Sequence, residues 1–205
     1  MKKAGDFWIP DAEQDQVDAI AKGGAQISHL EAALAYCTRF RVAIDGGANV
    51  GTWTVPLRAR FEHVYAFEPA ADTFACLDLN SPSAHNRQEA LGDLPGYGRM
   101  NTDETWPNGT GSRYVTKGDD FPITFIDSMN MLDLDFLKLD LEGMEPMAIK
   151  GAMSTLVRCK PVVLIEDKPR FATRYGYPAG EATRLLKALG YSLEKRIGAD
   201  LIFVP

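Results

Sequence analysis

Short apolar runs that end in acids recur along the chain. Val42-Ala43-Ile44 ends in Asp45, Val64-Tyr65-Ala66-Phe67 in Glu68, Phe136-Leu137-Lys138-Leu139 in Asp140, and Val162-Val163-Leu164-Ile165 in Glu166-Asp167. These lengths suit strands, and an unbroken apolar run is the pattern of a strand buried on both faces. Helical spacing lies between and around them. Leu30, Ala33, Leu34 and Cys37 recur at i, i+3, i+4, i+7; Ile149, Ala152, Met153 and Leu156 form a second stripe; Ala182, Leu185, Leu186 and Leu189 form a third. Alternating strands and helices predict an α/β fold, doubly wound, with a mostly parallel sheet covered on both faces. Two last runs, Tyr191 to Ile197 and Leu201 to Val204, flank Gly198-Ala199-Asp200 and predict an antiparallel C-terminal hairpin.

Local signals refine the boundaries. Asp11 to Ala21 is expected to be helical and to stop at Gly23-Gly24. Ser28-His29-Leu30-Glu31 reads as a capping box, with His29 solvated in the first turn. A helix follows Gly51 as far as about Phe61, and another runs from Ala71 to Leu79, where Asn80-Ser81-Pro82 stops it. Arg87 to Leu91 reads as a third strand, and Ile123 to Asp127 as a further short one. Pro146 suits a helix start. Leu94 to Asp120 breaks the alternation with glycines and isolated aromatics, Tyr97, Trp106 and Tyr114. We expect hairpin strands and a loop that bears on acceptor binding. Residues 1–26 read as an N-terminal extension and 27–205 as one domain.

Composition changes this picture little. The chain has 205 residues, 24% of them charged, with a net charge of −6, which disfavours nonspecific binding to nucleic acid. Cys37, Cys76 and Cys159 form no C-x-x-C pattern and read as buried free thiols in a reducing compartment. No apolar run approaches the roughly 18 residues that span a membrane. Met1-Lys2-Lys3 precedes no apolar signal core. The expected location is the cytoplasm.

The richest chemistry lies at Asp45-Gly46-Gly47-Ala48-Asn49-Val50-Gly51. A strand, a glycine-rich turn and a helix start bring backbone N–H groups up to a ligand. The pattern is D-x-G-x-N-x-G, whereas a dinucleotide fold would show G-x-G-x-x-G. Glu68 follows 23 residues after Asp45 and can accept hydrogen bonds from ribose hydroxyls, a requirement shared by nicotinamide and S-adenosylmethionine cofactors. The acids at the strand ends should converge on one cleft. Gathering like charges is costly unless something positive sits among them.

The ordered set of Ile44-Asp45-Gly46-Gly47-Ala48-Asn49-Val50-Gly51, Phe67-Glu68-Pro69, Lys138-Leu139-Asp140-Leu141-Glu142-Gly143-Met144-Glu145, Lys150-Gly151-Ala152 and Ile165-Glu166 resembles the FkbM family of S-adenosylmethionine (SAM)-dependent methyltransferases. The match spans about Arg41 to Asp167, with Gly46 in place of the family's more usual Val. The resemblance implies a Rossmann-like core of seven strands, SAM as cofactor, and O-methylation of a small-molecule or sugar-type acceptor. By matched position it places SAM at Asp45, Gly47, Asn49, Gly51 and Glu68; Gly46, Ala48, Pro69, Ala90 and Asp140 complete the expected cofactor site, and no metal is expected. Asp140 and Glu142 are the expected catalytic pair, as base and acceptor-positioning groups. The competing role for Glu142 is as a cap of the helix begun near Pro146. Lys138 shares their strand parity but lies deeper, as an ion-pair partner. His85 is a further candidate base, and Asp140, Glu142, Glu166 and Asp167 could instead hold Mg²⁺ or Ca²⁺. A binding protein of the same fold without turnover and a nucleotide-dependent oxidoreductase stay open as alternatives.

Overall fold

A computed structural model describes residues 1–14, 17–22, 26–103 and 110–205. Its central sheet has seven strands. They are β1 (Val42–Gly46), β2 (His63–Phe67), β3 (His85–Arg87), β4 (Phe136–Leu139), β5 (Val162–Glu166), β6 (Ser192–Ile197) and β7 (Asp200–Val204). The order is β3-β2-β1-β4-β5-β7-β6. β3, β2, β1, β4 and β5 pair in parallel. β7 is antiparallel to both its neighbours, as the closing hairpin requires. The order reverses at β1, where the chain winds first outward to β2 and β3 and later the other way to β4 and β5. That reversal leaves a crevice beyond the carboxyl ends of β1 and β4, the usual ligand position in an open α/β sheet.

Strand alternation divides the core. Ile44, Leu137, Leu139, Val163, Ile165 and Phe203 pack one face of the sheet against Ile149, Leu156 and Leu186. Ala43, Val64, Phe136, Leu164 and Ile202 pack the other against Leu30, Leu34 and Leu57. Lys138 pairs across the ladder with Asp45, so the two point to the same face.

Several boundaries differ from the sequence reading. Arg87–Leu91 is two strands in two sheets: β3 ends at Arg87, and Ala90–Leu91 joins a four-stranded sheet with Gly96–Thr102, Arg113–Lys117 and Phe121–Thr124. The helix expected from Pro146 is broken into Glu145–Lys150 and Met153–Cys159. Gly151 lies at the break, packed so closely on the Gly92 carbonyl that a Cβ would collide with it. Ile149, Ala152 and Leu156 are buried as expected, but Met153, which opens the second piece, is exposed. The capping box does not form. The helix runs Ile27–Leu34 from Gln26, which makes no capping bond because its side chain accepts from Trp53 Nε1 at 2.9 Å. His29 is not simply solvated: its Nδ1 lies 2.6 Å from Asp200 Oδ2.

The amino-terminal segment forms a hairpin, Lys2–Ala4 with Phe7–Ile9, and a short helix, Val17–Ala21. Asn80 fastens the hairpin to the helix Ala71–Asn80 by bonding both the N–H and the carbonyl of Trp8. All three cysteines are free, and only Cys76 is fully buried. Gly23, Gly24 and Trp106 lie outside the described residues. Among the described residues, no helix is long and apolar enough to cross a membrane.

Candidate active site

A cavity of about 350 Å³ opens at the carboxyl ends of β1, β2, β4 and β5, within the range typical of cofactor pockets. Gly47, Ala48 and Asn49 line it after β1, Glu68 and Pro69 after β2, and Asp140, Leu141 and Glu142 after β4. Glu166 and Lys168 line it beside β5, and Ala90 from the four-stranded sheet. Ile20 and Gln26 reach it from the amino-terminal segment, Thr110 from a 3-10 turn (Thr110–Ser112), and Arg113 from the strand of the four-stranded sheet that follows it. Of the ten expected cofactor residues, Asp45, Gly46 and Gly51 do not line this space.

Asp45 instead belongs to the support beneath it. It is fully buried, and its Oδ2 accepts from the Thr54 hydroxyl at 2.6 Å. Its Oδ1 lies 3.1 Å from Lys138 Nζ in an ion pair, without the alignment of a hydrogen bond. Lys138 Nζ donates to the carbonyls of Gly47 at 2.9 Å and Gly46 at 3.3 Å. Burial alone would lower the Lys138 ammonium, but the Asp45 and Asp140 carboxylates outweigh it and hold it above its ordinary value. The glycine turn is thus pinned from below by a lysine.

The turn itself demands its residues. Gly47 has φ +74°, and a Cβ there would run into the Asp140 carbonyl oxygen. Asn49 sits at φ +50°, a region Asn tolerates. Its N–H donates to Glu68 Oε2 at 2.9 Å, which ties the turn to the end of β2. Glu68 Oε1 accepts from the Ala70 N–H at 3.0 Å and the Thr73 hydroxyl at 2.8 Å. Burial still outweighs these bonds and raises its pKa. A carboxylate has about four lone-pair positions, so three bonds leave room for a ribose hydroxyl.

Beyond β4 the backbone turns sharply, with Glu142 at φ +54° and Gly143 at φ +109°. Glu145 holds this turn, accepting from the Leu141 N–H at 2.6 Å; the N-cap of the following helix, Met144, makes no side-chain bond. Asp140, Glu142 and Glu166 offer oxygens within 4.8 Å of one another. Asp167 points elsewhere and accepts from Thr183. Lys168, unread in the sequence, brings its Nζ to 2.7 Å from Glu166 and 3.5 Å from Glu142. Burial, then the Asp140 carboxylate, push Glu142 up to about 7 against the pull of Lys168. The same causes push Glu166 up to about 9. His85 is remote from the cavity, stacked on Tyr65 at the outer edge of the sheet.

The Methyltransferase FkbM domain matches residues 45–193, well over half of the chain. The chain belongs to the FkbM methyltransferase family. Its cofactor is S-adenosylmethionine. The bare backbone at Gly47, the spare acceptor position on Glu68 and the acid-rich wall fit that ligand's ribose and its positive charges.

Solved structures share the fold. Methyltransferase FkbM from Methylobacillus flagellatus KT is 18% identical with a TM-score of 0.50; the match covers 81% of this chain and 44% of that one. The chain therefore spans less than half the length of that FkbM protein. Precorrin 8w decarboxylase from Methanobacterium thermoautotrophicum is 12% identical with a TM-score of 0.53, over 97% of this chain and 100% of that one. A TehB-like SAM-dependent methyltransferase from Corynebacterium glutamicum is 14% identical with a TM-score of 0.51, over 91% and 90%. Among curated proteins, none matches the chain.

Proposed function

We propose that this FkbM-family chain transfers a methyl group from SAM to a hydroxyl oxygen of a small-molecule or carbohydrate acceptor. Residues 27–205 are the methyltransferase domain in this reading, and residues 1–26 an extension whose Ala19, Ile20 and Gln26 line the cavity. The observation that carries it is Glu142, a cavity-lining carboxyl pushed up to about 7 by burial. A general base works best with a pKa near the working pH. An alcohol must lose its proton as it attacks, and Glu142 is the group to take it.

Bound SAM supplies an electrophilic methyl group on a sulfonium. The chain's own residues supply position and proton transfer. Gly47, Ala48, Asn49 and Glu68 hold the cofactor, and the Lys138–Asp45 pair fixes their turn. Asp140 orients the acceptor hydroxyl, and orientation of this kind can supply several kcal/mol. Glu166, raised by burial and the Asp140 carboxylate, holds Lys168 at the cavity wall through a 2.7 Å contact. Lys168 limits the mutual repulsion of the carboxylates around it.

The test is a screen of hydroxylated small molecules and sugars, each beside its amino counterpart, with methyl-labelled SAM. The expected product is a methyl ether, assigned by NMR. Transfer to the amines alone would overturn the oxygen as acceptor atom.

A further inference from the structure

Two segments far apart in the chain meet over the cofactor turn. Glu13, a carboxylate on the amino-terminal segment, is fully shielded from solvent. Its Oε2 accepts from the Thr110 N–H at 2.8 Å and from the Thr110 hydroxyl at 2.5 Å. That hydroxyl lies 3.2 Å from the Asn49 side chain. It has one proton, already given to Glu13, so toward Asn49 it can only accept, and the Asn49 Nδ2 must be its donor. Asn49 in turn gives its backbone N–H to Glu68. One chain of hydrogen bonds thus joins the amino-terminal segment, the turn Thr110–Ser112, the cofactor turn and the acid after β2.

A buried carboxylate is stable only while its donors are in place. The two Thr110 donors therefore help to hold Glu13 inside, and losing them loosens the contact between the two segments. Glu13 and the cavity-lining Ile20 belong to one segment, and Thr110 is followed by the cavity-lining Arg113. The outer hairpin has its own anchor, Asn80 on Trp8, and its Lys2 Nζ donates to the Glu13 carbonyl at 2.8 Å, so the hairpin stays docked without the Thr110 contact.

We infer that Glu13 and Thr110 are positioning residues of the cofactor site: their contact latches the amino-terminal segment over the bound cofactor and fixes the side chain of Asn49. The latch depends on the cofactor assignment and not on the acceptor.

The experiment loads the full chain with tritiated S-adenosylhomocysteine and chases it with excess unlabelled ligand. Thr110→Val keeps the side-chain shape and removes the hydroxyl. It is expected to release the ligand about tenfold faster, the factor that one lost hydrogen bond to a charged group corresponds to. Thr110→Ser restores the hydroxyl and should stay within about twofold of wild type. Wild-type release from Thr110→Val, or equally fast release from Thr110→Ser, would overturn the latch. Hydrogen exchange of the wild-type chain gives a readout that needs no variant. S-adenosylhomocysteine should slow exchange at Asn49, at Thr110 and across residues 17–22 together, and unchanged exchange at 17–22 would overturn the proposal.

Discussion

Lys138→Met is expected to destabilise the folded chain by about 3–5 kcal/mol, the usual result of removing one partner from a buried ion pair. Methionine matches the length of the lysine stem, so packing changes little. What is lost is the charge 3.1 Å from Asp45 Oδ1 and two bonds to the carbonyls of Gly46 and Gly47. Asp45 is fully buried and keeps only the Thr54 hydroxyl as a donor. It cannot reach water without disrupting β1. In a chain of this size each kcal/mol lowers the melting temperature by about 2–4 °C, so thermal unfolding reads the effect directly. Adding Asp45→Asn should recover part of the loss, because the uncompensated charge is then gone. A single-variant loss below about 1 kcal/mol would place the pair among weak surface pairs, against its burial.

Glu142→Gln is expected to lower turnover at saturating acceptor at least about tenfold, a floor set just under the ~10²–10⁴ typical of general-base effects. Glutamine keeps the size and an acceptor oxygen but loses basicity. The fold and the affinity for S-adenosylhomocysteine should not change, since the cofactor turn and Glu68 are untouched. The pH profile gives the sharper signature. Burial, then the Asp140 carboxylate, push Glu142 up to about 7. The base is active when deprotonated, so turnover is present above this value and falls as pH drops through it. Glu142→Gln should lose that limb. Asp140→Asn should lower turnover through lost orientation, and by removing a like charge it should move the limb to lower pH. Wild-type turnover in both variants would take them out of the mechanism and leave Glu166, because Asp167 is bound to Thr183 and His85 is stacked outside the cavity.

The central strands were legible because each is a short apolar run cut off by an acid, and burial in a parallel sheet needs that pattern. The ion-pair role of Lys138 was legible too, from its strand parity with Asp140 and Glu142 and its greater depth, but its partner Asp45 is set by the register of β1 and β4. What could not be read depends on partners far away in sequence. β3 and Ala90–Leu91 look like one strand locally, and only their neighbours, β2 and Phe121–Thr124, separate them. Ser28 and Glu31 have the spacing of a cap, but Trp53 engages Gln26 and the helix starts there. His29 meets Asp200 and Glu13 meets Thr110 by tertiary packing alone. Lys168 follows Glu166 by two residues, and that spacing was the signal available for a positive charge among the acids. Nothing local showed that it would reach Glu142.

The most direct measurement of the central claim is calorimetric titration of the chain with S-adenosylhomocysteine, beside NADH, in wild type and Glu68→Ala. Saturable binding of S-adenosylhomocysteine is expected, with no response to NADH. Glu68→Ala should weaken it by about 1–3 kcal/mol, the value of hydrogen bonds to a charged group. Tight NADH binding without any response to S-adenosylhomocysteine would contradict the account.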